Sequence, residues 1–223
     1  VQPTGVTADI TPLSLAVTGV TAGSRVYDQS VAVTISGGSI APITGDTVIL
    51  DGTSKNGVFG NKNVGTGKAI TVTGYAISGS DASNYALVQP TGVTADITVL
   101  SLNVTGVTAA NKVYDRTTTA TLSGGSIAPI LGDTVTLVTT GKSGAFADKN
   151  IGTGKAVTVT GYTISGADAA NYSLVQPTGV TADITALSLA VTGVTAANKV
   201  YDHLLTATIS GGSIAPISGD TVT

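Results

Sequence analysis

The stretch VQPTGVTADIT stands at residues 1–11, returns at 88–98 and returns again at 175–185. The step is 87 residues both times, and GGSIAPI at 37–43, 124–130 and 211–217 keeps it. Residues 13–99 and 100–186 share 61 of 87 positions with no insertion or deletion. A solenoid coil or propeller blade takes roughly 20–50 residues, so this period is too long for either. It suits a complete small sandwich of roughly 100 residues or slightly fewer. The chain therefore reads as the end of one copy (1–12), two full copies (13–99 and 100–186) and the first part of a third (187–223). Each copy is expected to fold around its own core.

Composition and alternation say what kind of core that is. All thirteen acidic residues are aspartate, glycine is abundant (29), and threonine and valine are abundant in β-branched runs. Such a mixture favours strands and turns over helices, and no window of helical periodicity exceeds a turn or two. In the second copy the runs 100–107, 119–124, 133–138, 143–148, 155–165, 171–175 and 179–185 predict seven strands separated by glycine-rich breaks. Leu100, Leu102 and Val104 alternate with Ser101 and Asn103, as one buried face requires. The nine aromatic residues fall at matching positions (Tyr27/Tyr114/Tyr201, Phe59/Phe146, Tyr75/Tyr162, Tyr85/Tyr172), the pattern of core residues. The expected fold is all-β, a tandem array of Ig-like β-sandwich repeats. At the seams a single variable residue (Pro12, Val99, Ala186) separates the last strand of one copy from the first of the next. With no flexible spacer there, the copies are expected to join end to end in a rod, at very roughly 30–40 Å per copy from about 3.3 Å per strand residue.

Net charge is −3 and only 10% of residues are charged, which offers no field for nucleic acid or an anionic membrane. Cysteine, methionine and tryptophan are absent, which excludes disulfides, thiolate metal sites and cysteine nucleophiles. No apolar run is long enough for a membrane helix, and the first residues lack the basic start and apolar core of a signal peptide. The chain reads as an internal piece of something longer.

NKVYD at 111–115 and 198–202, and its counterpart SRVYD at 24–28, set a phenol beside a carboxylate three times. Successive strand residues face opposite ways, so Tyr and Asp are poorly placed for shared proton transfer. The following residue is Gln29, Arg116 or His203, unlike groups that no common catalytic or metal shell would accept. The reading is structural: the tyrosine ring in the sandwich edge, the aspartate satisfying turn amides. His203, the only histidine, has no supporting constellation for a triad or zinc site. The loops holding Asp81/Asn84 and Asp168/Asn171 offer oxygens to calcium but too few of them. They read instead as Asx turns leading into strands, with Tyr85 and Tyr172 as corner tyrosines. GNKNVGTGKA (60–69) and ADKNIGTGKA (147–156) lack the P-loop pattern and read as hairpin loops. Lys62, Lys68, Lys149 and Lys155 raise intramolecular Lys–Asn or Lys–Asp amide links, which need a buried carboxyl beside the pair. TVT (71–73, 158–160) is too sparse for an ice-binding array. The expectation is no catalytic, cofactor-binding or metal residue, no cofactor, and no enzyme activity.

Taken together, KVYDRTTTATLSGGSI, GDTVTL, FADKNIGTGKAVTVTGYTISGADAANYSL and QPTGVTADIT resemble the YDG-type repeats of large, filamentous-haemagglutinin-like, two-partner-secreted bacterial surface adhesins. The resemblance covers the whole chain. It implies export to the cell surface and sandwiches stacked into a stalk that projects a binding region outward. It implies neighbouring repeats as partners, with like chains or extracellular polysaccharide as the alternative reading. The chain departs from the family at the glycine after Tyr-Asp, where Gln29, Arg116 and His203 bear a steric cost if φ is positive.

Overall fold

The computed structural model describes residues 2–222, which contain strands and short 3₁₀ turns and no α-helix. The first repeat carries β1 (Leu13–Ala16), β2 (Thr18–Ala22), β3 (Arg25–Val26), β4 (Ala32–Val33), β5 (Ile35–Ser39) and β6 (Ile49–Asp51). These are followed by β7 (Asn56–Phe59), β8 (Gly65–Thr73), β9 (Ala76–Ser78), β10 (Tyr85–Val88) and β11 (Thr94–Thr98). The second repeat has the same eleven strands, each displaced by 87 residues, from β12 (Leu100–Asn103) to β21 (Tyr172–Val175) and β22 (Thr181–Thr185). The third contributes β23 (Thr192–Ala196) and β24 (Ile209–Ser213).

In the first repeat β3, β11, β8, β7 and β4 form a five-stranded sheet in that order, with β3 parallel to β11 and the other pairs antiparallel. Three smaller ladders complete the sandwich: β1 parallel to β10, and the antiparallel pairs β2–β5 and β6–β9. Alternation selects the core. Ile70 and Val72 of β8 are buried while Thr71 and Thr73 face out, and Ala95 and Ile97 do the same on β11. Leu15, Val17, Ile35, Phe59, Tyr75 and Tyr85 fill the rest. Each such aliphatic or aromatic side chain contributes about 1.5–3 kcal/mol when fully buried. The second repeat buries the counterparts Leu102, Val104, Phe146, Val157, Val159, Tyr162 and Tyr172.

The seven expected strand runs are all present but three are broken. The run 100–107 breaks at Val104, as 13–20 does at Val17, because the strand changes partner there. Before the break β1 lies parallel to β10, and after it β2 pairs with β5. The Val17 amide still donates to the Val88 carbonyl at 3.0 Å. The run 119–124 breaks at Thr121. The run 155–165 breaks at Gly161–Tyr162, where Gly161 has φ +84 and a Cβ would meet the Gly141 carbonyl oxygen at 2.1 Å. The two-residue strand β3, inside SRVYD, is too short for alternation to reveal.

The described chain forms two compact units: residues up to 102 with 128–136 and 165–174, and 103–127 and 137–164 with everything from 175 on. The first unit therefore contains the first repeat together with two segments of the second. At that seam β11 passes through Val99 alone into β12.

Candidate functional site

The three VYD motifs sit where β3 and its counterparts end. In the first copy the Asp28 carboxylate accepts the Ser30 amide at 2.9 Å and pairs with Arg25. Asp115 accepts the Thr117 amide at 2.8 Å and pairs with Lys112 at 2.7 Å; Asp202 accepts the Leu204 amide at 3.0 Å and pairs with Lys199 at 2.8 Å. Lys112, with the Thr117 bonds, holds the Asp115 carboxyl down to about 2. The aspartate is thus the turn residue its position suggested. The next residue lies in the left-handed region each time, φ 68 at Gln29, 68 at Arg116 and 61 at His203. Those are the three positions where the sequence reading attached a steric cost to a positive φ.

The tyrosine does something else. Tyr27 is 1% exposed, and besides Lys62 of its own repeat it meets residues of the second repeat in the first unit. Its ring packs edge-on against Tyr172, centroids 5.6 Å apart. Its hydroxyl donates to Asp133 Oδ2 at 2.8 Å. Gln29 Nε2 donates to Asp133 Oδ1 at 2.9 Å and to the Leu131 carbonyl at 3.0 Å. Lys62, in the β7–β8 loop, brings Nζ to 2.9 Å from Asp133 Oδ1 and 3.3 Å from Asp168 Oδ1. Tyr172 completes the set, donating to Asp133 Oδ2 at 2.7 Å while accepting the Ile130 amide at 3.0 Å. Beside this cluster the Val64 amide donates to Asn171 Oδ1 at 3.0 Å. Asp133 thus accepts from four side chains, three of them from the preceding repeat, and its own side chain is 0% exposed.

Burial would push the Asp133 carboxyl up. The hydrogen bonds from Lys62, Tyr172, Tyr27 and Gln29 outweigh it and hold the group down to about 2. Lys62 is pushed up, chiefly by its bond to Asp133 and then by Tyr27. Burial and then the Asp133 bond push Tyr172 up to about 12. Both members of the Lys62–Asp133 pair are therefore locked in their charged forms. Amide formation needs a neutral amine and a protonated carboxyl, the reverse of this arrangement.

The same positions elsewhere show what the joint depends on. Asp46, the counterpart of Asp133, accepts the Tyr85 hydroxyl at 2.6 Å, and Tyr85 accepts the Ile43 amide at 2.9 Å. Asn84, the counterpart of the buried Asn171, is exposed. In the second unit Tyr114 donates to Asp220 at 3.1 Å, while Arg116 Nε lies 3.2 Å from Asp220 and a guanidinium nitrogen donates to the Ser218 carbonyl. Tyr114 is half-buried. Tyr201 is 79% exposed, and its hydroxyl lies 2.7 Å from His203 Nδ1.

Two further sequence readings change. Asp81 and Asp168 do not close Asx turns of their own. Each precedes a 3₁₀ turn it does not cap and instead accepts a distant amide, Thr47 at 2.8 Å and Thr134 at 2.9 Å. The glycine-rich stretches are hairpin loops only up to residue 64 and its counterpart 151, since Gly65 and Gly152 already open long strands. There Lys68 donates to Asn61 Oδ1 at 2.7 Å and Lys155 pairs with Asp148 at 2.8 Å, stapling the hairpin. Tyr85 and Tyr172 do act as corner tyrosines. Sequence reasoning overlooked Asp133 and Gln29 as partners, although the recurring Gly-Asp at 45–46, 132–133 and 219–220 marked the place. Among the described residues no group of three or more His, Cys, Asp or Glu side chains is placed to hold a metal ion.

No curated protein and no solved structure matches the chain. The family model described as the YDG domain matches residues 11–93 and again 98–180, and the chain belongs to that family as two tandem copies.

Proposed function

We propose that these repeats are structural spacers of a secreted bacterial surface adhesin or extracellular fibre, and that their work is done by the joint between copies. The observation that carries this is the buried Asp133, gripped by Tyr27, Gln29 and Lys62 of the preceding repeat. A flexible tether has no use for a fully desolvated carboxylate, because burying one is costly unless every lone pair is met. A spacer that must hold its direction does. The direct passage of β11 into β12 through Val99 alone supports the same reading.

On the resemblance to two-partner-secreted adhesins, the reading takes the chain to work outside the cell with the neighbouring repeats as its partners. The absence of cysteine and methionine suits that setting, since no thiol or thioether is open to oxidation. Small-angle scattering of chains with two, four and six repeats tests the proposal. The maximum dimension should grow nearly linearly with copy number; a square-root growth would leave a flexible string and end the spacer reading. Binding of the repeats to the producer's exopolysaccharide would favour a binding module instead.

A further inference from the structure

Tension along a chain of repeats enters each copy at its first strand and leaves at its last, and in this fold both strands sit in parallel pairs. β1 opens the repeat beside β10, Leu13 against Tyr85 through to Ala16 against Val88, and the Val17 amide donates to the Val88 carbonyl just beyond. β11 closes the repeat beside β3, Ile97 against Arg25 and Thr98 against Val26. This second pair is stitched at both ends. The Asp96 amide donates to Ser24 Oγ at 3.0 Å, the Tyr27 amide to the Thr98 carbonyl at 2.9 Å, and Thr98 Oγ1 to the Arg25 carbonyl at 3.3 Å. The next repeat keeps the arrangement. β14 (Lys112–Val113) runs parallel to β22, with the Asp183 amide on Asn111 Oδ1 at 2.8 Å and the Tyr114 amide on the Thr185 carbonyl at 2.8 Å. There β12 pairs with β21, and the Val104 amide donates to the Val175 carbonyl at 3.0 Å.

The direction of pull decides how such pairs fail. When one of two parallel strands is drawn by its upstream end and the other by its downstream end, they slide in opposite senses along one axis. Every rung of the ladder then carries load together, whereas an antiparallel hairpin drawn from its open end loses its rungs one after another. β3 and β11 are loaded in the first way. So are β1 and β10, because β10 leads on through residues 89–93 to the exit strand. Buried side chains pin the same strands: Leu15 and Val17 at the entrance, Ala95 and Ile97 at the exit. A slip of one residue would turn each of them to the wrong face. We propose that the two parallel pairs form a shear clamp, by which each repeat bears tension along the fibre without unfolding. Resistance to forced unfolding is set by the unfolding rate rather than by equilibrium stability, so this topology can protect even a small sandwich. The source of the tension rests on the spacer reading, while the clamp belongs to a single repeat.

The chain has no cysteine, so an introduced pair sets the pulling points for single-molecule stretching of the full-length protein. Pro12→Cys with Val99→Cys draws the first repeat by its entrance and exit strands. Asn56→Cys with Thr73→Cys draws the β7–β8 hairpin from its open end, where these two residues lie opposite each other. All four positions are exposed. Growth of the scattering dimension with the square root of copy number would sink the spacer reading and leave these forces unchanged, so the two failures are distinct. At one loading rate the rupture force between 12 and 99 should exceed that between 56 and 73 several-fold. Ser24→Ala combined with Thr98→Val removes the side-chain stitches across β3 and β11, and should lower the first force while leaving the second where it was. Equal forces in the two directions overturn the clamp. A proportional drop in both directions in the Ser24 and Thr98 variant overturns it equally, since that is a general loss of stability.

Discussion

The Tyr27 hydroxyl donates to the carboxylate of Asp133, 106 residues further along the chain and in the next repeat. The counterpart pair, Tyr114 with Asp220, has the same separation of 106. A contact that steps by one period plus a fixed offset of nineteen (106 − 87) belongs to the array rather than to any one sandwich. Tyr27, the tyrosine of the first pair, is 1% exposed.

Removing the acceptor should therefore cost more at Asp133, which accepts from both repeats, than at Asp46. Asp133→Ala strips the Tyr27 and Tyr172 hydroxyls of their acceptor, and a buried polar group left unmatched costs about 1–3 kcal/mol. Asp46→Ala orphans only Tyr85. Urea unfolding of the two variants should show the larger loss for Asp133→Ala. Equal losses would mean that the cross-repeat bonds contribute nothing.

Acid should open the joint late. The Asp133 carboxyl is held at about 2, below the ordinary 3.8, so its contribution is fully present above about pH 4 and disappears as pH falls towards 2. At the other end Tyr172 is raised to about 12, so its contribution is intact below pH 10 and is lost as pH climbs through 12. Stability against pH should be flat between these limits as far as these two groups are concerned. In Asp133→Asn the acid limb between pH 4 and 2 should shrink, which a pH series of urea midpoints will show.

Much of the fold was legible because it depends on local pattern and on period. Alternation in β8 picks out Ile70 and Val72, and the 87-residue step forces the second repeat to copy the first. The joint was less legible, since its members lie far apart: Tyr27 after β3, Lys62 in a hairpin loop, Asp133 in a turn of the next copy. Nothing in the local sequence of SRVYD distinguishes a ring at a sandwich edge from one capped by another domain. The breaks at Val17 and Val104 were hidden for a similar reason. A strand that changes partner keeps its alternation, and only the hydrogen-bond ladder records the change.

Glycine at 38 is demanded by a side chain and not by backbone freedom alone. Gly38 has φ +113, and a Cβ there would meet the Tyr75 ring at 2.7 Å. Tyr75 cannot retreat without losing its hydroxyl bond to the Gly37 carbonyl, 2.7 Å. Gly92 also has positive φ, +72, but open space around it. Gly92→Ala should cost about 1–2 kcal/mol from the left-handed backbone. Gly38→Ala should add about 1–3 kcal/mol of overpacking to that. Thermal midpoints in the same order, with Gly38→Ala well below Gly92→Ala, are the expected result.

The residue after Tyr-Asp offers the sharpest test of what the joint is worth. Gln29 sits at φ 68, where glycine is at ease and other residues are strained by about 1–2 kcal/mol. It keeps that conformation while donating to Leu131 and Asp133 across the seam. Gln29→Ala retains the strain and loses both bonds, so it should be the least stable. Gln29→Gly loses the bonds but sheds the strain, and should recover about 1–2 kcal/mol relative to alanine. If the cross-repeat bonds matter, wild type remains above the alanine variant by more than a surface substitution would explain, beyond about 0.5 kcal/mol. Alanine as stable as glutamine in urea unfolding would mean that Gln29 merely tolerates its backbone and does not hold the next repeat.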